Sequence, residues 1–215
     1  MLALDHIVLA GKNIEEDSTN YGRKFAIKAI KGGEHDEWGT YNYLAYFSNE
    51  SYLEWLGIQD IEKAKNSANP LIQHLVYEID NHVLAPFQFA LRTNNMDHYV
   101  EHFKDNNIPY HGPFFGQRKR PDGSNLTWRM LFPAYDHTKE MLPFLIEWGS
   151  DSGGPSIKSL SNPQAILNIY FGGIDKERFE QIYQLKPKRL LKNQFTLQNA
   201  KILFSDERKL SFDLA

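Results

Sequence analysis

Two stretches of the chain repeat the same order of elements, and this repetition constrains the fold more than any single motif does. In the first, residues 4–10 form a short run rich in Ile, Val and Leu, interrupted by His6, and read as a buried strand. Gly11 and Asn13 end it. Residues 14–25 read as a helix with Glu15, Glu16 and Asp17 in its first turn, where negative charge suits the helix dipole. Residues 27–30 predict a second strand, followed by a Gly-rich polar loop carrying Gly33, His35, Gly39, Thr40 and Asn42. Apolar runs at 43–47 and 52–56, separated by Ser48-Asn-Glu-Ser51, predict an antiparallel hairpin. The second stretch runs in the same order: strand 87–93, helix 96–106, strand 108–112, a polar loop at 117–124, then strands 126–132 and 142–148. Two such strand–helix–three-strand units predict a paired sheet that curls into one cup.

Glu54 lies inside the second apolar run, between Leu53 and Trp55. A carboxylate there either faces water from an edge strand or serves as a ligand or acid–base group in a cavity. Glu147 occupies a similar place in 142–148. Aligning Leu53-Glu54-Trp55 with Ile146-Glu147-Trp148, and His6 with Gln88, brings four polar groups into the cup. Alternate residues of a strand share a face, so Tyr52, Glu54 and Leu56 should point together.

The remaining segments organise around these units. Asn69-Pro70 marks a helix entry, and Leu71, Leu75, Ile79 and Val83 give a helix over 71–83 joining the two halves. His74 and Glu78, four apart, together with His82, read as a partly exposed helix face rather than a metal site. Residues 150–155 have linker composition. Beyond them, strand 165–171, helix 174–183 and short strands at 195–197, 201–204 and 210–214 resemble a shortened third unit, which either packs on the core or makes a homodimer contact. The expected division is residues 1–149, built of units 1–57 and 84–149, and a subdomain at 156–215.

A chain of 215 residues with net charge −3 has no global field for nucleic acid or anionic membrane. The absence of Cys excludes disulfides and thiolate chemistry and suits a reducing compartment. No apolar run approaches the ~18 residues of a membrane span. The first residues lack a basic region followed by a long apolar one, so a cytoplasmic location is the default. The expected partner is a small molecule.

Several words of the sequence, in order, resemble the vicinal oxygen chelate superfamily and its glyoxalase-like domain proteins. They are Asp5-His-Ile-Val-Leu-Ala-Gly11, Gly32-Gly-Glu-His35 followed by Gly39-Thr-Tyr-Asn42, Tyr52-Leu-Glu-Trp55, and Arg118-Lys-Arg-Pro-Asp-Gly123 followed by Trp128-Arg129. The resemblance implies an α+β fold of paired βαβββ units with a cup-shaped sheet. It also implies one divalent ion held by a first-strand His or Gln and a last-strand Glu from each half, here His6, Glu54, Gln88 and Glu147. The superfamily includes isomerases, lyases, extradiol dioxygenases and metal-free antibiotic-binding proteins, so the fold leaves the activity open.

Imidazole and carboxylate suit Zn, Mn, Ni, Co or Fe, whereas the Gln88 amide is a poor ligand. A bound ion would chelate two substrate oxygens, with Glu54 or Glu147 as the proton-transfer base. The alternative is that His6 and Gln88 are hydrogen-bonded core groups and the cup is metal-free. Arg118, Arg120 and Arg129, with Lys119, place positive charge opposite His35 and Asn42, and suit an anionic ligand. The alternative is a solvated basic turn, or an Arg paired with Asp122. Trp38, Trp55, Trp128 and Trp148 line an aromatic pocket or belong to the core. Two functions stay open: a metal-dependent lyase, isomerase or dioxygenase, and a metal-free protein that sequesters a small molecule.

Overall fold

The computed structural model of the chain describes residues 1–81, 85–119, 125–149, 158–187 and 193–215, with only the backbone of Arg118 and Lys119. His82, Val83, Arg120 and Asp122 lie outside the described residues. The first unit comprises β1 (Ala3–Ala10), α1 (Ile14–Phe25), β2 (Ile30–His35), β3 (Thr40–Tyr46) and β4 (Tyr52–Ile58). Helices α2 (Ile61–Lys65) and α3 (Pro70–Asp80) connect it to β5 (Pro86–Arg92), α4 (Met96–Asp105), β6 (Tyr110–Lys119), β7 (Asn125–Pro133) and β8 (Phe144–Trp148). The eight strands form one curled sheet in the order β2-β3-β4-β1-β5-β8-β7-β6. β1 and β5 lie antiparallel at its centre, each with the last strand of its own unit parallel on its outer side. The sheet is therefore two βαβββ units related by a local twofold axis.

β1 is buried along its whole length. Its two faces meet different partners, which explains a near-continuous apolar run rather than an alternating one. Ile7 and Leu9 join the convex core with Leu53, Trp55, Phe89 and Leu91, whereas Val8 and Ala10 face the concave side with Leu56, Phe87 and Ala90. α1 begins at Asn13, whose side chain accepts from the Glu16 amide, and its acidic first turn is as expected. α3 starts at Pro70 behind the Asn69 cap and lays Leu71, Ile72 and Leu75 onto the concave core.

Three strands depart from the bounds read in the sequence. β2 begins only at Ile30, the last residue of the expected 27–30 strand, and takes in Gly32 and, from the expected loop, Gly33 and His35; β3 begins at Thr40, within the same expected loop. A Cβ at Gly32 would collide with Asn42 Oδ1 and come within 2.8 Å of Leu44, so close strand approach, not turning, explains this glycine. β6 continues into the residues expected as a polar loop and pairs along its length with β7.

The C-terminal segment forms a second sheet from β9 (Ile166–Gly172), β10 (Gln194–Thr196), β11 (Lys201–Ser205) and β12 (Lys209–Leu214), with α5 (Lys176–Tyr183). Its order is β10-β11-β9-β12, and β9 runs parallel to β11 as β1 does to β4. Phe171, Phe179, Tyr183 and Phe204 join the convex core, with Phe171 edge-on to Phe89 at 5.2 Å.

Candidate functional site

His6, Tyr52 and Glu54 line the concave face of the sheet, as the strand period requires of the last two. All three are buried. His6 stacks on Tyr52 at 4.5 Å and meets Phe144 edge-on at 5.5 Å. Its Nε2 lies 3.3 Å from Glu54 Oε2, and its Nδ1 lies 2.7 Å from Asp5 Oδ1. Glu54 Oε1 accepts from Asn42 Nδ2 at 2.6 Å, and Asn42 Oδ1 accepts from the Gly33 amide at 2.8 Å. A buried chain thus runs Asp5, His6, Glu54, Asn42, Gly33. Every member of it except Asp5 and the Gly33 amide was expected at or beside the site.

Asp5 reaches His6 because β1 carries a bulge. The pairing with β5 steps from Leu4 opposite Leu91 to His6 opposite Ala90, which leaves Asp5 as an extra residue. Such an insertion re-aims a side chain that would otherwise point to the far face. Asp5 is fully buried, and besides His6 it accepts from Trp148 Nε1 at 2.8 Å and lies 3.6 Å from Arg92 Nη1. A carboxylate placed so deep needs these partners. The sequence signal was faint: an acid directly before the first-strand His.

The second half of the cup is different. Ladder register, not sequence likeness, sets the correspondence between the halves. The β1–β5 ladder is symmetric about the pair Ile7–Phe89, with His6 opposite Ala90 and Val8 opposite Gln88, and with an extra residue at Asp5 on one strand and at Phe87 on the other. The local twofold therefore makes Gln88 the counterpart of His6, as the sequence alignment has it, and Ala90 the counterpart of Val8. Glu54 lies beside Val8 on β4 and Phe144 beside Ala90 on β8, so Glu54 corresponds to Phe144 and Leu56 to Ile146. The alignment through the Glu-Trp words is three residues out, and an odd slip turns a side chain to the other face.

Glu147 accordingly points away from the deep part of the cup, and with Arg129 it borders only the wide mouth. Its Oε1 accepts from the Met96 amide at 3.0 Å at the start of α4, and its Oε2 pairs with the Arg129 guanidinium. Arg129 also donates to Asp97 at 2.7 Å, and these two hydrogen bonds, Asp97's first, push its pKa up. Its guanidinium is therefore spent on the protein rather than offered to a ligand. The Arg118 side chain and Arg120 lie outside the described residues.

Gln88 lies on the concave face but does not line the cavity. Its amide donates to the Tyr135 hydroxyl at 2.7 Å and to the Leu142 carbonyl at 3.0 Å. It belongs to a second buried polar cluster, in which His74 Nδ1 meets the Tyr135 hydroxyl at 3.1 Å and His74 Nε2 meets Glu78 at 3.0 Å. The expected exposed face of α3 at His74 and Glu78 is thus an interior pair. Burial pushes the Tyr135 phenol up, and burial together with His74 pushes the stacked His137 down.

The four-donor metal site implied by the family resemblance does not fit these residues. Of the four only His6 and Glu54 face the deep cavity: the Gln88 amide is taken by Tyr135 and Leu142, Glu147 lies on the other face of β8, and the place equivalent to Glu54 is held by Phe144, which carries no donor. Among the described residues, no group of three or more His, Cys, Asp or Glu is placed to hold a metal ion.

The deep cavity, about 50 Å3, is floored by His6, Asn42 and Glu54 and walled by Leu71, Ile72, Met130, Phe144 and Ile146. His35, Trp38, Trp128 and Trp148 border both it and a wide mouth of about 880 Å3. His35 Nδ1 is 3.0 Å from Thr40 Oγ1, and Phe115 stands exposed on the far rim. Trp55, by contrast, belongs to the convex core. Chemically, the arrangement offers one hydrogen-bonding pole, an apolar wall opposite it and an aromatic entrance.

The fold has relatives. A structure of a hypothetical protein from Staphylococcus aureus superposes with TM-score 0.79 at 17% identity, covering 99% of this chain and 89% of that one. Methylmalonyl-CoA epimerase from Mycobacterium tuberculosis superposes with TM-score 0.50 at 13% identity, covering 69% of this chain and 89% of the epimerase. A methylmalonyl-CoA epimerase in complex with methylmalonyl-CoA and NH4+ gives 0.50 at 15%, covering 70% and 96%. No curated protein matches the chain. The family model described as Glyoxalase-like domain matches residues 4–186. With that match across most of its length and the paired βαβββ cup, the chain belongs to the glyoxalase-like domain family, within the vicinal oxygen chelate superfamily.

Proposed function

We propose that the cup is a metal-independent proton-transfer site for a small oxygenated metabolite, of the isomerase or lyase class. The observation that carries this reading is the buried chain Asp5–His6–Glu54–Asn42, in which a carboxylate and an imidazole face the same cavity, each fixed from behind. With Nδ1–H donating to Asp5, His6 presents Nε2 to the cup. Asp5 then offsets the charge of an imidazolium, as an orienting carboxylate does in other acid–base sites. A ligand with an enolisable carbonyl would give a proton from carbon to Glu54, while His6 Nε2–H supplies one to the carbonyl oxygen. Return of the proton from Glu54 to carbon, while the enol O–H gives its proton back to His6 Nε2, completes an isomerisation and restores both groups. No step needs a metal, and the polar donors of one half suffice.

A second reading, sequestration without chemistry, is favoured by the rings of Trp38, Trp128, Trp148 and Phe115 around the wide mouth. Both readings predict that a cup ligand quenches tryptophan fluorescence. They part in D2O. Carbon-bound protons of small α-hydroxy ketones and aryl-substituted carbonyl compounds should exchange in the presence of the wild-type chain, followed by NMR. Glu54→Gln and His6→Gln should each abolish this exchange. Quenching without exchange across the panel would overturn the proton-transfer reading in favour of sequestration.

A further inference from the structure

The two halves of the cup present opposite chemistry to the deep cavity. The first half contributes His6, Asn42 and Glu54, and the second contributes Met130, Phe144 and Ile146, with Phe144 in the place equivalent to Glu54. Ile146 is 2% exposed and lines the deep cavity beside Met130 and Phe144. A ligand that fills the cavity therefore meets hydrogen-bonding groups on one side and hydrocarbon on the other. Any polar group turned toward Ile146 loses its water and gains no partner.

We infer that Ile146, with Phe144 in the place equivalent to Glu54, determines specificity, and that the cup selects compact ligands polar at one end only. The class is a planar or branched hydrocarbon body bearing a single hydroxyl, enol or carbonyl head. The Glu54 carboxylate, an acceptor, favours a head that donates a hydrogen bond over one that is itself a carboxylate. Diols, dicarboxylates and other molecules polar at both ends are rejected on the Ile146 side. The inference rests on the cup being the binding site proposed above, but not on any reaction taking place there.

A matched pair of probes tests it. 4-Methylphenol and hydroquinone have nearly the same shape and differ by a methyl group against a hydroxyl at one end. Titrations followed by tryptophan quenching should show 4-methylphenol binding about tenfold or more tightly, since a desolvated unpaired hydroxyl carries a cost of that order. Ile146→Thr should reduce the preference to about threefold or less, because the new hydroxyl supplies a partner; Ile146→Val should keep it. Should Ile146→Thr fail to fold, the wild-type ratio alone decides. Equal affinities, a preference for hydroquinone, or no binding of 4-methylphenol in the millimolar range would overturn the inference. A preserved preference without isotope exchange would sink only the proposed reaction; exchange with no preference would sink only this inference.

Discussion

Asp5→Asn removes one charge from the head of the buried chain while keeping size and shape. The carboxylate accepts from His6 at 2.7 Å and from Trp148 at 2.8 Å, and lies 3.6 Å from Arg92. An amide has one acceptor oxygen, so its NH2 must face either the imidazole N–H or the indole N–H, donor against donor. Hydrogen bonds to a charged group are worth about 1.5–3 kcal/mol, and Asp5 is fully buried, so solvent does not replace the lost one. The expected cost is about 3 kcal/mol, or roughly 6–12 °C in Tm for a chain of this size. Trp148→Phe deletes only one donor and should cost about half as much. The double variant should cost less than the sum by about 1 kcal/mol, since the two groups share a bond. Urea melts of the four proteins measure all three quantities. An Asp5→Asn cost within about 0.5 kcal/mol of zero, or strict additivity with Trp148→Phe, would refute the reasoning that Asp5 holds the site together.

Three further perturbations separate the parts of the molecule. Glu147→Gln should lower stability by about 1–2 kcal/mol in denaturant melts, through the α4 start and the Arg129 pair, and leave cup-ligand quenching unchanged. A methyl group at Gly116 would overlap the Trp128 indole, so Gly116→Ala should weaken cup-ligand quenching several-fold while far-UV circular dichroism stays as in the wild type. His137 is held below its usual 6.5 by burial and by His74; the unfolded chain therefore takes up this proton before the folded one does. Stability present above pH 6.5 should be lost as pH falls through the folded value, and His137→Gln should flatten that slope in pH-dependent thermal melts.

Much of the fold was legible because periodicity and punctuation agreed. The helix over 14–25 matches α1 to the residue, with its Asn cap and acidic first turn. The apolar run from Tyr52 matches the start of β4, and the repeated order of elements gave the paired units. His6, Glu54, His35, Asn42 and Trp128 all border the cavities. What was not legible depended on register. Leu-Glu-Trp and Ile-Glu-Trp are alike in sequence, yet strand pairing sets Glu54 against Phe144, and no local signal in β8 reveals that Phe144 is the residue beside Ala90. The bulge at Asp5 is likewise a property of the β1–β5 pairing. Gln88 does hold the place equivalent to His6, as aligned, but the partner that claims its amide, Tyr135, is 47 residues away. Arg129 looked free because Asp97 and Glu147 come from other elements.

The account turns on the second half of the cup lacking a pair of metal donors, and metal binding tests this most directly. Wild-type chain purified without added metal or chelator, then dialysed against excess Zn, Mn, Co or Ni, should retain far less than one ion per chain by elemental analysis. Gln88→His combined with Phe144→Glu supplies the missing pair at the places equivalent to His6 and Glu54 and should raise retention to near one ion per chain. Near one-to-one retention by the wild type, lost in His6→Ala and Glu54→Gln, would contradict the account.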